Sequence, residues 1–363
     1  SIKIEFHLTN AGEFRPLAAR REKQLMNQSK AISIVQIICA FLIVNYHTSK
    51  LAIPVLSKVA KFGFVFNTVF VFLSGYLITK SFSKAGQTSF RNFIYKRINR
   101  IYPSLHIALV FVAIYYLSTN NSVDFKHFLY SASGIQYFLN NGGSFGGGHL
   151  WFVSVILLCY LLFIPTYNIL KKHPYPFICT SVGVFIVIAL LKYGSLDSIY
   201  NRVSSEVTFR FLYHYIVFSI AIFMGLKSIK NNTESLSGKK YLVLFFIFVP
   251  LYTFLQPNVS LSIFAIASAF IVALCLISIT LMAYPFIDKQ ISPIMIFSSI
   301  TYELYLIHYS VIDAVDIYYH GKYVGFVVVF VVSVLLAFLI SLLSKPYTRL
   351  TKRCTGWLLR CAS

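Results

Sequence analysis

The chain is 363 residues long, 57% hydrophobic, with only 12% of its residues Asp, Glu, Lys or Arg. Soluble domains carry about twice that charged fraction, and no stretch here is polar enough to coat one, so the composition excludes a string of soluble domains and describes a single membrane domain. The formal charge of +21 comes from basic residues lying between long apolar runs, which is the pattern of loops on a bilayer; nucleic acid is excluded as the expected partner and the lipid bilayer takes its place.

Residues 1–30 form a polar segment with no apolar core before a small-residue cleavage site, so they do not read as a signal peptide. Met26-Asn27-Gln28-Ser29-Lys30 stands directly before the first apolar run and would make a natural start. Residues 1–25 are therefore expected to be a leader or an appended extension outside the fold. Ten apolar segments follow, near 31–50, 62–79, 101–117, 149–170, 177–192, 209–228, 241–256, 259–282, 295–315 and 323–344. Each is long enough, or nearly so, to cross a hydrocarbon core of roughly 30 Å as a helix. Residues 31–344 thus read as one all-α integral membrane domain of about ten helices, and 345–363 as a basic tail too short for a domain.

Between the third and fourth segments, the loop 118–148 ends in Asn-Asn-Gly-Gly-Ser-Phe-Gly-Gly-Gly. It lacks the Gly-Lys-Ser/Thr ending and the preceding strand of a phosphate-binding loop, and reads as a flexible loop beside an opening. Cys39, Cys159, Cys179 and Cys275 lie inside apolar runs, and Cys354 and Cys361 in the tail. No CxxC or CxxH spacing occurs, so no metal site is expected.

The loops set the orientation. With the N-terminus inside, twenty-four of the 32 Lys and Arg fall in cytoplasmic segments and six on the opposite side. That bias is what the positive-inside rule predicts for an even number of spans, with both termini cytoplasmic.

Ionisable side chains inside lipid are costly, so each is a candidate for function. They are His47, His106, Glu303 and His308, with His149, Arg97 and Arg100 at the boundaries. The first and ninth helices run outward and the fourth starts outside, which puts His47, His308 and His149 at one depth. Singly, each reads first as a packing histidine; three at one level point to a polar cavity opening outward. On the inner side, Arg97 and Arg100 are three apart and share a helical face. They suit phosphate as well as they suit a lipid anchor. Pro103 is expected to fix the local turn there. Gln36 and His47 are eleven residues apart, on one face and about 16 Å apart along the helix, a spacing fit for an elongated ligand.

Five segments, in order, resemble the acyltransferase-3 family of membrane proteins: Ser33–His47, Phe70-Val71-Phe72-Leu73-Ser74-Gly75-Tyr76-Leu77, Arg97–Pro103, His149-Leu150-Trp151-Phe152 and Ser299–His308. The resemblance implies an O-acetyltransferase of the bacterial inner membrane, with acetyl-CoA as cytoplasmic donor and a lipid-linked or polymeric surface glycan as acceptor. It implies catalytic roles for His47, Glu303, His308 and His149. Donor binding would fall to Arg97, Arg100, Gln36 and Ser74, although Ser74 with Gly75 reads equally as a close helix contact. Trp151 and Tyr305 would face the substrate. The chain departs from the family pattern where an arginine should stand ten residues before the histidine, at Gln36, and where an acidic residue should precede it, at Ser33. The acidic pair that some members carry after the tryptophan is replaced by Val155-Ile156-Leu157. An exporter of polar solutes or glycans, or an inactive scaffold of a glycan-assembly complex, would use the same polar path.

Overall fold

The structure, a computed structural model, describes residues 30–48, 62–86, 89–119, 123–139, 145–193, 206–231, 240–255, 262–318 and 322–361. The extension expected at 1–25 lies outside the described residues. Every regular element among those described is helical. In chain order they are α1 (Lys30–His47), α2 (Gly63–Lys84), α3 (Phe90–Ser118), α4 (Phe125–Ala132), α5 (Gln136–Leu139), α6 (Trp151–Lys172), α7 (Pro174–Tyr193), α8 (Glu206–Asn231), α9 (Lys240–Leu255), α10 (Ser262–Ile291), α11 (Thr301–Tyr318) and α12 (Lys322–Cys361). Two 3₁₀ segments, Gly148–Leu150 and Ser292–Ile300, lead into α6 and α11.

Among the described residues, seven helices are long and apolar enough to cross a membrane: Lys30–His47, Gly63–Lys84, Phe90–Ser118, Gly148–Lys172, Pro174–Leu191, Val207–Asn231 and Val324–Thr351. Two more apolar runs, Val243–Phe254 and Ser268–Ala283, lie within α9 and α10. The remaining segment of the expected ten, 295–315, divides into a 3₁₀ stretch and α11, which carries Glu303, Asp313 and Asp316.

Apolar spacing decides which face each helix buries. In α1 the buried Ile32, Val35, Cys39, Ala40, Ile43 and Val44 recur every three or four residues, the period of one helical face. In α12 the two faces are complementary: Val329, Ser333, Ala337 and Ile340 are buried, while Val324, Val327, Val331, Leu335, Leu339 and Leu342 point out. An outward stripe this apolar is stable against hydrocarbon, not water.

Two helices overrun the boundaries read from the sequence by more than ten residues. The basic stretch before the third apolar segment is itself helical, because Ser89 caps α3 by accepting from the Asn92 N–H at 3.4 Å. Pro103 sits inside that helix rather than marking a turn, where it lacks the N–H that would reach the Asn99 carbonyl. At the other end, α12 continues past residue 344 to Cys361. Its extension is held to α3: the Thr351 hydroxyl donates to Asn99 Oδ1 at 2.8 Å, and Tyr347 meets His106.

Glycine sets one contact. A Cβ on Gly75 would lie 2.8 Å from the Phe218 carbonyl and 3.0 Å from the Ala221 Cβ, and one on Gly225 would lie 2.9 Å from the Thr79 Cβ. Bare backbone at these positions lets α2 and α8 approach closely. α10 covers α2, α6 lies against α8, α11 packs on α12 and α3, and α9 pairs with α10.

Candidate active site

His47 ends α1, His149 sits in the 3₁₀ turn before α6, and His308 lies in the middle of α11. Their ring centroids are 4.8 Å (His149–His308), 5.2 Å (His47–His308) and 6.2 Å (His47–His149) apart. The shared level read from the sequence is thus a shared site. His149 and His308 are buried, 3% and 0% exposed, while His47 is half-buried.

Backbone carbonyls fix two of the three tautomers. His308 Nδ1 donates to the carbonyls of Leu304 (3.2 Å) and Tyr305 (2.8 Å), and His149 Nε2 donates to that of Leu306 (3.3 Å). A carbonyl only accepts, so those nitrogens hold the protons. His308 Nε2 and His149 Nδ1 are then lone-pair acceptors, both buried with no hydrogen-bond partner. Two fixed acceptors beside a third imidazole form a site complementary to a hydroxyl donor, since an unmatched buried acceptor is costly to leave empty.

The Tyr305 hydroxyl donates to the His149 carbonyl, and its ring lies 5.3 Å from His149 and 5.5 Å from Phe152. It is a support for His149. Trp151 turns away from the cluster toward α8, 5.2 Å from the His214 ring and beneath Arg210 at 5.4 Å.

Glu303 is buried on α11, 8% exposed. Ser104 of α3 donates to its Oε1 at 2.7 Å, and Oε2 has no partner. Arg97 is half-buried, its guanidinium 5.7 Å from the Phe93 ring and 6.0 Å from the Tyr160 ring, with a buried, unpartnered Nε. Arg100 is exposed and close enough for its charge to act on both Arg97 and Glu303. Gln36 and Ser74 are half-buried. Ser74 precedes the α2–α8 contact at Gly75, which favours its packing role.

These residues fall along one line. The Tyr302 hydroxyl donates to the Ile101 carbonyl, and Glu303 meets Ser104, so α3 and α11 ascend together. α1 ascends with them: Ile37 and Ile38 share a groove with Ile300 and Thr301, and His47 meets His308. Arg97 precedes Ser104 by seven residues and Glu303 precedes His308 by five, which at 1.5 Å per residue puts the arginine about 18 Å below the histidines. That matches the roughly 16 Å between Gln36 and His47 on α1.

His106 is structural. Its Nε2 donates to the Ala132 carbonyl and its Nδ1 accepts from Tyr347, both at 3.0 Å, so it ties α3 to α4 and α12. Several neighbours of the site had no signal in the sequence. Tyr309 stacks on His149 at 5.2 Å and stands edge-on to His47 at 5.4 Å; its spacing one residue after His308 was the available hint. Gly147, with φ +114, brings bare backbone against Tyr309 and His149, where a Cβ would meet them at 2.6 and 3.0 Å. Ser104 and His214 became visible only through partners distant in sequence.

No curated protein and no solved structure matches the chain. The profile of the Acyltransferase domain family (Acyl_transf_3) matches residues 29–344, a span that holds the three histidines, Glu303 and the arginine pair. A helical membrane domain with a polar column running through it, covered almost end to end by this profile, belongs to the acyltransferase-3 family.

Proposed function

We propose that this acyltransferase moves an acetyl group from cytoplasmic acetyl-CoA to a hydroxyl of a surface glycan, such as an O-antigen, capsule or exopolysaccharide, across the bacterial inner membrane. The observation that carries the reading is the histidine cluster at one end of the column, with its two fixed, unfilled acceptors. An acceptor that offers hydroxyl groups satisfies both; a carboxylate satisfies neither.

In this reading Arg97 and Arg100 hold the donor's phosphates, and the acyl end reaches up the column past Gln36, Ser104 and Glu303. The acceptor enters from the side where Tyr309 and the glycine turn border the cluster. His47, the most accessible of the three imidazoles, takes the hydroxyl proton as the oxygen adds to the thioester carbon. The carbon–sulfur bond then breaks, and the sulfur departs with a proton. His149 and His308 keep the hydroxyl aimed, and Tyr305 and the α11 carbonyls keep those rings aimed. The domain spans the membrane about ten times with both termini cytoplasmic, in keeping with the distribution of basic residues.

The test is the acetyl content of surface glycan, measured by mass spectrometry in cells with and without the gene. Loss of the acetyl increment on deletion, restored by the wild-type gene, is the expected result. Identical glycan in both strains overturns the reading.

A further inference from the structure

A second candidate site, a largely apolar cavity with a basic rim, lies away from the column among the ends of α2, α6, α7 and α8. It is a half-open cavity of about 720 Å³. Lys171 from α6 and Lys227 and Lys230 from α8 line it, with Ser83, Tyr167 and Asn231. Ser83 and Tyr167 bond to each other at 3.0 Å across its wall. Among the described residues, no carboxylate lines it.

The three lysines are exposed; the positive-inside rule explains lysines at these helix ends but not their convergence on one cavity mouth. Lys227 and Lys230 are three apart on one helix, a like-charge pairing that disfavours the bare site. Helix dipoles do not cancel the charge. The C-terminal ends of α2, α6 and α8 each bring about half a negative charge and the N-terminal end of α7 about half a positive one, so the three ammonium groups leave a net of about +2. Anionic groups with several acceptor oxygens fit this surroundings best: lysine serves phosphate as a point charge, and hydroxyl and amide groups complete the shell.

We propose that this cavity binds a phosphate group, carried either by a phospholipid headgroup or by the nucleotide part of the acyl donor. Both sources reach it. It opens at the basic side of the bilayer, where pockets between helices take anionic headgroups. It is also one step from the donor path: Tyr167 lies seven residues along α6 from Tyr160, the ring against Arg97, or about 10 Å. The nucleotide arm rests on the proposed donor; the lipid arm does not.

The test uses the full chain in nanodiscs and reads binding only. The triple variant Lys171→Gln/Lys227→Gln/Lys230→Gln is compared with the wild type for phosphatidylglycerol retained after exchange into phosphatidylcholine, by native mass spectrometry, and for acetyl-CoA affinity in phosphatidylcholine discs, by calorimetry. Loss of retained phosphatidylglycerol assigns the site to lipid, and a fall in acetyl-CoA affinity of about tenfold or more assigns it to the nucleotide. The matching Lys→Arg triple variant keeps the charge and should keep the binding. Unchanged retention and unchanged affinity in the glutamine variant overturn the proposal. So does an equal loss in Lys84→Gln/Lys172→Gln, which removes two exposed lysines of the same helix ends that do not line the cavity.

Discussion

At the scale of single residues, the column of polar groups asks each member for a different property, and the predictions separate them. In the proposed reaction His47 serves as the base. His47→Ala should abolish acetyl transfer with normal abundance, and His47→Gln should be equally dead, because an amide of similar reach cannot take a proton near neutral pH. A packing histidine would show the reverse, an unstable alanine variant and an active glutamine one; glycan acetylation measured beside protein abundance tells them apart. Tyr305 is needed for position. Tyr305→Phe removes the donor to the His149 carbonyl, so kcat should fall on the order of ten- to a hundredfold while donor affinity stays the same. A fall in donor affinity instead would return Tyr305 to direct ligand contact. Gln36 is the departure from the family. An arginine placed there would enter a half-buried position on α1 with Ser33 where the acidic partner should stand, at a cost of several kcal/mol if it goes unpaired. Gln36→Arg should therefore lower abundance or activity; an active, stable variant would mean that the column still accepts the family's arginine. His47, His149 and His308 were legible in the sequence because depth follows from helix direction and polar residues in lipid are rare. Ser104, Tyr309 and His214 were not, since a serine, a tyrosine and one more histidine carry meaning only through what faces them from another helix.

At the scale of elements, hydropathy located the helices but not their ends. An apolar window closes where charge begins, whereas a helix closes where its capping and packing end. That is why α3 begins at Phe90, a full basic stretch before its apolar part, and why α12 runs on to Cys361. Hydropathy also cannot see which helices touch. The α2–α8 contact depends on Gly75, and Gly75→Ala would force a Cβ to within 2.8 Å of the Phe218 carbonyl. Backbone cannot swing aside as a side chain can, so the helices must separate, at about 1–3 kcal/mol. Gly183, in α7, faces open space. Gly183→Ala should leave stability unchanged or raise it by about 0.5–1 kcal/mol through helix propensity. Thermal melting in detergent should move down for the first variant and level or up for the second. Equal shifts would remove the close-approach account of Gly75.

At the scale of the whole molecule, the open quantity is how many times the chain crosses, and parity decides it. Seven helices qualify by length and apolarity; with only those, the termini would lie on opposite sides. α9 and α10 pair with each other, so as a hairpin they cross together or not at all and leave parity unchanged. α11 is the element that matters. Its acidic residues keep it from reading as a span, yet Glu303 is buried against Ser104 instead of facing lipid. α11 also rises beside α1, from the groove shared by Thr301 and Ile37 to the contact between His308 and His47. The stretch shared with α1, from Thr301 to His308, is the reason to expect that α11 crosses with it. If α11 crosses, the count is even and the termini share a side, the arrangement proposed from the basic residues of the loops. Reporter fusions at residue 145, at the N-terminus and at the C-terminus should therefore place both ends in the cytoplasm and residue 145 outside. Termini on opposite sides would mean that α11 does not cross. Glu303 and His308 would then lose their place in the column, and the path from the arginine pair to the histidines would have to be abandoned.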